Sequence, residues 1–302
     1  MNSLKAIGLA LALVLLAAPP GRAWFPKGHS ILAEAAVKAL PTEVPAFFRA
    51  GGGLVGHLAQ DPDVAKARET PNLNNQEFPE HFIDYELLGG RPLPPTRYGF
   101  LKLCIEAKVE PNDAGLVPYA VTEWTERLAV AFAEHRRWPE NPHIRTKALV
   151  YAGMLSHYAT DMCMPLHTTI HYDGRAGADG KSPRTGIHMA VDSLIERLGL
   201  KPDELAKGQK VEAFDLLFPA VVKEMEESRT HIDEVYRLEP QLPPGRGAWT
   251  PSAEVTAFTK ERGRESTRFL ACLYLTAWKK SASIKLPSWL ERERTAAAPA
   301  KK

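Results

Sequence analysis

Two histidine–aspartate pairs with the spacing i, i+4 lie in apolar segments and constrain the fold of this chain more than any other feature. The pairs are His157 with Asp161 and His188 with Asp192. Residues four apart project from the same face of an α-helix, so each pair predicts a helix with both side chains on one side. The apolar neighbours predict burial, and a buried carboxylate is costly unless a cation compensates its charge. The two pairs therefore predict helices packed around bound divalent metal.

The other long periodic segments are also helical in pattern, and no alternating strand pattern longer than four or five residues stands out. We expect an all-α fold: a single, mainly helical domain with long loops around a metal cleft. The predicted helices are 30–40, 119–137, 145–163, 184–198, 210–228 with a kink at Pro219, and 252–280. The predicted irregular loops are 61–79, 87–97, 171–185 and 238–247.

The first 23 residues have the pattern of a cleavable secretory signal. Lys5 precedes an apolar run from Ala6 to Ala18, which is short for a membrane span, and Ala23 marks the expected cleavage point. We therefore expect residues 1–23 to be removed, residues 24–290 to form one domain, and residues 291–302 to be a disordered tail. The mature protein should be exported, to the periplasm or the medium, without stable membrane insertion. No obligate protein partner is inferred.

Charge and cysteine content do not decide the function. The chain has 38 basic and 36 acidic residues, and the signal contains Lys5 and Arg22 but no acid, so the mature domain has no overall basic field. Three cysteines allow at most one internal disulfide. Cys163 lies between potential metal ligands and is interpreted as a buried small residue in preference to a thiolate ligand. Outside the metal motifs, His135, His143 and His231 are expected on the solvated surface.

The motifs taken in order resemble the superfamily that unites single-strand-specific zinc nucleases with bacterial zinc-dependent phospholipase C. Each motif alone is weak, but the ordered set is specific and spans residues 24–192. The matching elements are Trp24-x3-Gly28-His29, an acid near position 63, His81-Phe82-Ile83-Asp84, the segment from His157 and Asp161 to Pro165-Leu166-His167, and His188-x3-Asp192.

The resemblance implies three zinc ions. They would be held by Asp63, His81, His157 and Asp161; by His167, His188 and Asp192; and by the Trp24 α-amine and carbonyl with His29 and Asp161. The role of Trp24 requires signal cleavage, because a freed amine can be a ligand and a peptide nitrogen cannot.

The loop acid has two candidates, Asp61 and Asp63. Asp63 is favoured because Lys66 follows it by three residues, as a basic residue does in the nuclease pattern. Lys66 would then contact phosphate as a point charge. Asp84 could orient the His81 imidazole as an outer carboxylate.

The resemblance is closer to the nuclease branch than to the phospholipases. The spacing from Trp24 to His29 is short, the last ligand is Asp192 where phospholipases usually have glutamate, and Phe82 stands where nucleases stack a base. We expect zinc-assisted hydrolysis of single-stranded nucleic acid, and of 3′-nucleotides, with Asp63 orienting the attacking hydroxide. The apolar neighbours of His167 depart from the nuclease pattern, so a phospholipase C acting on phospholipid and a non-catalytic zinc-binding protein stay as alternatives.

Overall fold

The protein is a bundle of α-helices, as its sequence predicts. The computed structural model describes residues 25–245 and 247–292. Within these residues the only β-type contacts are two isolated bridges, Ile83 with Gly115 and Tyr172 with Gly174. The secretory signal, Trp24 and residues 293–302 lie outside the described residues. In the described part of the chain, no helix is both long enough and apolar enough to cross a membrane.

Fifteen α-helices and four 3₁₀-helices make up the described fold. The α-helices are α1 (Pro26–Lys38), α2 (Ala46–Arg49), α3 (Gly52–Leu58), α4 (Asp61–Ala65), α5 (Pro71–Glu77), α6 (Arg97–Ala107), α7 (Pro111–Ala114), α8 (Val117–Arg137), α9 (Pro142–Met162), α10 (Ile187–Asp192), α11 (Leu194–Arg197), α12 (Pro202–Ala206), α13 (Leu217–Arg229), α14 (Ile232–Leu238) and α15 (Ala253–Lys280). The 3₁₀-helices are Phe78–His81, Tyr85–Leu88, Pro165–Thr168 and Glu239–Gln241.

The long helices α8, α9 and α15 pack against one another and contain most of the main core, to which α1, α3 and α13 add further contacts. A second core cluster is formed by buried side chains of α1, α10, α11, α12, α14 and the first turns of α15. Helix α9 lies between the main core and the metal motifs. Its C-terminal half is buried almost without interruption, from Leu155 to Met162. The polar side chains of that half are therefore held in a rigid and apolar frame.

Several helices begin at other residues than the sequence pattern predicts, for local reasons. Pro26 and Pro142 occupy the first turns of α1 and α9, where a missing N–H costs nothing, and Asn141 caps α9 by accepting from His143 N at 3.0 Å. The predicted kink at Pro219 is wrong. Helix α13 starts only at Leu217, so Pro219 lies in its first turn and breaks no hydrogen bond.

Two further sequence predictions are wrong. Segment 61–79 is not an irregular loop, because α4 and α5 form within it, each with a proline in the first turn. His135 is not on the surface: its side chain is only 8% exposed and its ring lies 4.6 Å from that of Phe47. His143 is exposed, as predicted. At the end of the described residues, Glu291 pairs with Arg137 and Arg292 pairs with Glu134, although both lie in the segment predicted to be a tail.

Candidate metal centre

The predicted histidines and aspartates converge at the C-terminal end of α9, although they come from six separate segments. Three groups of side chains have their ligand atoms close enough to hold a metal ion. These groups are His29 with His157 and Asp161, Asp63 with His81 and His157, and His167 with His188 and Asp192. All of the sequence-predicted ligands among the described residues therefore belong to at least one group.

Asp161 lies at the middle of the centre. Its Oδ1 is 3.3 Å from His29 Nε2, and its Oδ2 is 3.0 Å from His81 Nδ1 and 3.3 Å from His157 Nε2. Both Asp161 and His157 are fully buried on one face of α9, as their i, i+4 spacing predicts. A single carboxylate thus connects three imidazoles that approach from three different elements.

Most of the imidazoles are oriented through Nδ1 by an acceptor of the protein. Nδ1 of His157 donates to Ala59 O at 2.8 Å, Nδ1 of His167 donates to His81 O at 2.8 Å, and Nδ1 of His188 donates to Tyr172 O at 3.2 Å. A carbonyl oxygen can only accept, so Nδ1 carries the proton and the Nε2 lone pair faces the centre. This arrangement is the usual one for a metal-binding histidine.

His29 is oriented in the same way by a hydroxyl group. Thr160 Oγ1 donates to Ser156 O at 2.9 Å, which leaves an oxygen lone pair to accept from His29 Nδ1 at 2.8 Å. The Nε2 atom of His29 then faces Asp161 without a hydrogen-bond partner among the described residues. Thr160 is a positioning residue that the sequence pattern did not reveal, because its contact joins α9 to α1.

The segment that carries His81 is fixed from two sides. Ile83 N donates to His167 O at 2.9 Å, and Asp84 N donates to Ala114 O at 2.8 Å. Gly115 allows this close approach, because it has a φ of 79° and a Cβ at that position would overlap the carbonyl of Phe82. The loop is therefore held by backbone contacts, which no local sequence pattern could have shown.

His188 is fixed by the loop that precedes α10. Asp173 Oδ1 accepts from Gly186 N at 2.7 Å and from His188 N at 3.3 Å, and thereby caps the helix that carries His188 and Asp192. The His188 Nε2 atom lies 3.1 Å from Asp192 Oδ2. Asp173 is another residue that sequence reasoning missed, since its partners lie more than ten residues further along the chain.

The electrostatics of the centre suit a bound cation. Burial lowers the pKa of His29 to about 3, and it lowers the pKa values of His81 and His167 well below the usual value. These imidazoles are neutral at neutral pH, which is the form that binds metal. Burial also raises the pKa of Asp161 well above its usual value and that of Asp192 to about 6. A divalent cation would compensate both carboxylates.

Of the two candidate loop acids, Asp63 belongs to a potential metal-binding group and Asp61 does not. Lys66, the predicted phosphate contact, has its Nζ 2.6 Å from Asp63 Oδ1, and both side chains are nearly buried. Burial raises the pKa of Asp63, but the adjacent His157 and Lys66 outweigh it and hold that pKa well below its usual range. Asp63 is therefore ionised at neutral pH.

Phe82, the predicted base-stacking residue, is half-buried, and its ring meets that of Phe78 edge-on at a centroid distance of 5.6 Å. Phe78 is 40% exposed and was not among the predicted site residues. Val64 and Leu73, on α4 and α5, are also exposed apolar side chains. The segments that carry Asp63 and His81 thus present apolar groups to solvent.

Asp84 and Cys163 are close to predicted ligands in the sequence. No ion pair joins Asp84 to His81 among the described residues; Asp161 faces Nδ1 of the His81 ring, and the acid on the opposite side is Glu77, whose Oε1 lies 3.7 Å from Nε2. The i, i+4 spacing of Glu77 and His81 was the available signal. Cys163 is buried and free, as are Cys104 and Cys272, and none belongs to a potential metal-binding group.

The described chain begins beside the centre. Phe25 N donates to Asp192 O at 3.2 Å. The predicted ligand Trp24 directly precedes Phe25 and lies outside the described residues.

The chain was compared with protein families, curated proteins and solved structures. No protein-family model and no curated protein matches the chain. Among solved structures, an alpha toxin from Clostridium absonum is similar with a TM-score of 0.45 and 13% sequence identity, over 87% of this chain and 67% of that chain. A likeness of this size assigns neither family nor activity, so the function has to be inferred from the geometry of the centre.

Proposed function

We propose that this protein is an exported zinc-dependent phosphodiesterase. The observation that carries the proposal is a set of buried ligand atoms that converge without hydrogen-bond partners among the described residues. They include Nε2 of His29, His167 and His188, and oxygens of Asp63, Asp161 and Asp192. Buried polar atoms are normally satisfied, so a convergent set of unsatisfied ones indicates a bound group. Imidazole and carboxylate together are the ligands that zinc prefers.

The centre would bind three zinc ions. One ion would be held by Asp63, His81, His157 and Asp161, and another by His167, His188 and Asp192. The remaining ion would be held by His29 and Asp161 together with the backbone amine and carbonyl of Trp24. The hydrogen bond from Phe25 N to Asp192 O supports this assignment, because it brings the start of the described chain to the centre.

Bound zinc would supply Lewis-acid polarisation of the phosphate and of the attacking water. The protein's own contribution begins with Asp63. Its carboxylate is ionised and nearly buried, and Oδ2 has no hydrogen-bond partner among the described residues. A carboxylate with a low pKa accepts a hydrogen bond from water but retains no proton, so Asp63 would orient the attacking water and would not act as the final base.

Lys66 would assist with charge. Its ammonium group lies against Asp63 on α4, so it is held where a phosphate oxygen must approach if Asp63 orients the nucleophile. A lysine gives one positive point charge and no planar fork, which suits a phosphodiester whose orientation is set by metal ions. No protein nucleophile is required in this mechanism.

The first candidate substrate is single-stranded nucleic acid. The supporting feature is the aromatic pair of Phe78 and Phe82, directly next to His81, because an aromatic ring stacks on any base. Base stacking is worth about 1–3 kcal/mol per base, enough to position a strand without reading its sequence.

A phospholipid is the second candidate, and a different observation favours it. Val64 is 70% exposed between Asp63 and Lys66, and Leu73 and Phe78 are exposed nearby in sequence. Exposed apolar side chains beside a catalytic centre could contact the acyl chains of a lipid aggregate.

The test offers the zinc-loaded protein, starting at Trp24, denatured DNA, RNA, a 3′-nucleotide and phosphatidylcholine. We expect cleaved nucleic acid and inorganic phosphate from the 3′-nucleotide. Diacylglycerol would instead select the phospholipase. The His157→Ala variant serves as the control for contaminating activity. Bound zinc without product from any substrate would overturn the enzyme proposal and leave a zinc-binding protein.

A further inference from the structure

His81 is oriented differently from the other histidines of the centre. His29, His157, His167 and His188 each direct Nδ1 to a neutral oxygen of the protein and Nε2 to the centre. In His81 the order is reversed. Its Nδ1 lies 3.0 Å from Asp161 Oδ2 and 2.9 Å from His157 Nε2, so Nδ1 is the atom among the ligands.

The outward nitrogen of His81 faces a carboxylate. Once Nδ1 donates its lone pair to a metal, Nε2 must carry the ring proton, and this donor is buried with no hydrogen-bond partner among the described residues. The polar group that the structure places in front of it is Glu77, with Oε1 3.7 Å from Nε2. A shift of about 0.7 Å would make this contact a normal hydrogen bond.

Glu77 is itself held in place from α9. The Tyr158 hydroxyl donates to Glu77 Oε1, and both side chains are buried. Tyr158 directly follows His157, and its ring packs edge-on against the His81 ring at a centroid distance of 5.5 Å. The contact between Tyr158 and Glu77 therefore connects α9, which carries His157, to the carboxylate that faces His81.

We infer that Glu77, held by Tyr158, is the positioning residue that orients His81 and increases its strength as a metal ligand. The inference rests on the proposed zinc site, since it assigns an outer partner to one of its ligands. A carboxylate accepts from imidazole N–H more strongly than a carbonyl does, and it places more electron density on the metal-binding nitrogen. His81 would thus bind the metal more strongly than it would if a carbonyl oxygen faced its outward nitrogen.

The experiment measures zinc affinity, by competition with a chromophoric chelator, and the absorption spectrum of the cobalt-substituted protein. We expect Glu77→Gln to weaken the binding of one ion by about 10- to 100-fold, as loss of an outer carboxylate does elsewhere. Tyr158→Phe should act in the same direction with a smaller effect, and both variants should change the cobalt spectrum.

Glu80→Gln is the matched control. Glu80 is as buried as Glu77 and lies three residues further on, but it pairs with Arg97 and not with a histidine. We expect this variant to lose stability while it keeps wild-type zinc affinity and cobalt spectrum. An unchanged affinity in both Glu77→Gln and Tyr158→Phe would overturn the inference, and so would an equal loss in Glu80→Gln. Intact zinc binding without turnover would overturn the proposed enzyme activity alone, whereas a wild-type protein that binds no zinc would overturn both.

Discussion

His167 and His81 hold each other in place through reciprocal contacts of their segments. His167 Nδ1 donates to His81 O at 2.8 Å, and Ile83 N, two residues after His81, donates to His167 O at 2.9 Å. The two histidines belong to different potential metal-binding groups. Displacement of either loop therefore disturbs two groups at once, and single substitutions at the centre should have effects larger than the loss of one ligand atom.

His157→Ala should remove bound zinc and lower the melting temperature in the presence of zinc. His157 belongs to two of the three potential metal-binding groups. At a zinc concentration of about 100 times Kd, loss of one ion costs about 2.7 kcal/mol of stabilisation. Metal analysis and thermal unfolding, each with and without zinc, check this result. His143→Ala, at an exposed position of the same helix, is the control. Equal zinc content in the two variants would contradict the prediction.

A residue retained before Trp24 should abolish one zinc site and most of the activity. The added residue turns the terminal amine into a peptide nitrogen, which cannot bind the metal. Zinc stoichiometry of the Met-extended and cleaved proteins gives the answer, and the same extension placed after Lys302 controls for added length. Full zinc content and full rate in the extended protein would exclude the N-terminal ligand.

Lys66→Met should separate turnover from metal binding. Loss of the ammonium group removes a charge from the approach of the phosphate, so kcat/KM should fall by about 100-fold. Zinc affinity should rise, because a cation that competes for Asp63 is gone. Steady-state kinetics measure kcat/KM, and a zinc titration measures the affinity for the metal. Arg68→Met, two residues further on and exposed, should change neither quantity.

Glu224→Gln should stabilise the protein against unfolding in alkaline solution. Burial and the neighbouring Glu265 carboxylate raise the pKa of Glu224 from 4.5 to about 8. Because the pKa of Glu224 is higher in the folded protein than in the unfolded chain, the contribution of this group to stability is fully present below about pH 4.5. It is lost as the pH rises towards 8, by at most about 1.4 kcal/mol per pH unit. The free energy of unfolding of the variant, measured with urea, should therefore exceed that of the wild-type protein by an amount that grows across this pH range. A difference that is independent of pH would contradict the prediction.

The sequence predicts the centre better than its surroundings because the ligands follow local rules. The pairs His157 with Asp161 and His188 with Asp192 need only one turn of helix to share a face, and all four side chains are buried as predicted. The imidazoles are oriented by Thr160, Asp173 and the backbone of Ala59, which lie far from them in the sequence. Apolar periodicity carries no information about such contacts. Tertiary packing decides these contacts.

The errors in the helical prediction have separate physical causes. Helices α4 and α5 are short and polar, so their apolar periodicity is too weak to be recognised, although Pro62 and Pro71 in their first turns are a usable signal. His135 is predicted on the surface because it has no partner acids like those of the metal motifs, yet its own face of α8 meets Phe47. Helix faces matter more than neighbouring residues in the chain.

Asp161 connects side chains from several elements at the centre. Its two oxygens lie within 3.3 Å of ring nitrogens from α1, from α9 and from the segment after α5. An ion that binds to one oxygen would fix the carboxylate for the ion at the other, so we expect the two ions that share Asp161 to bind cooperatively. Protein that holds only one of these two ions would then be scarce even when zinc is limiting.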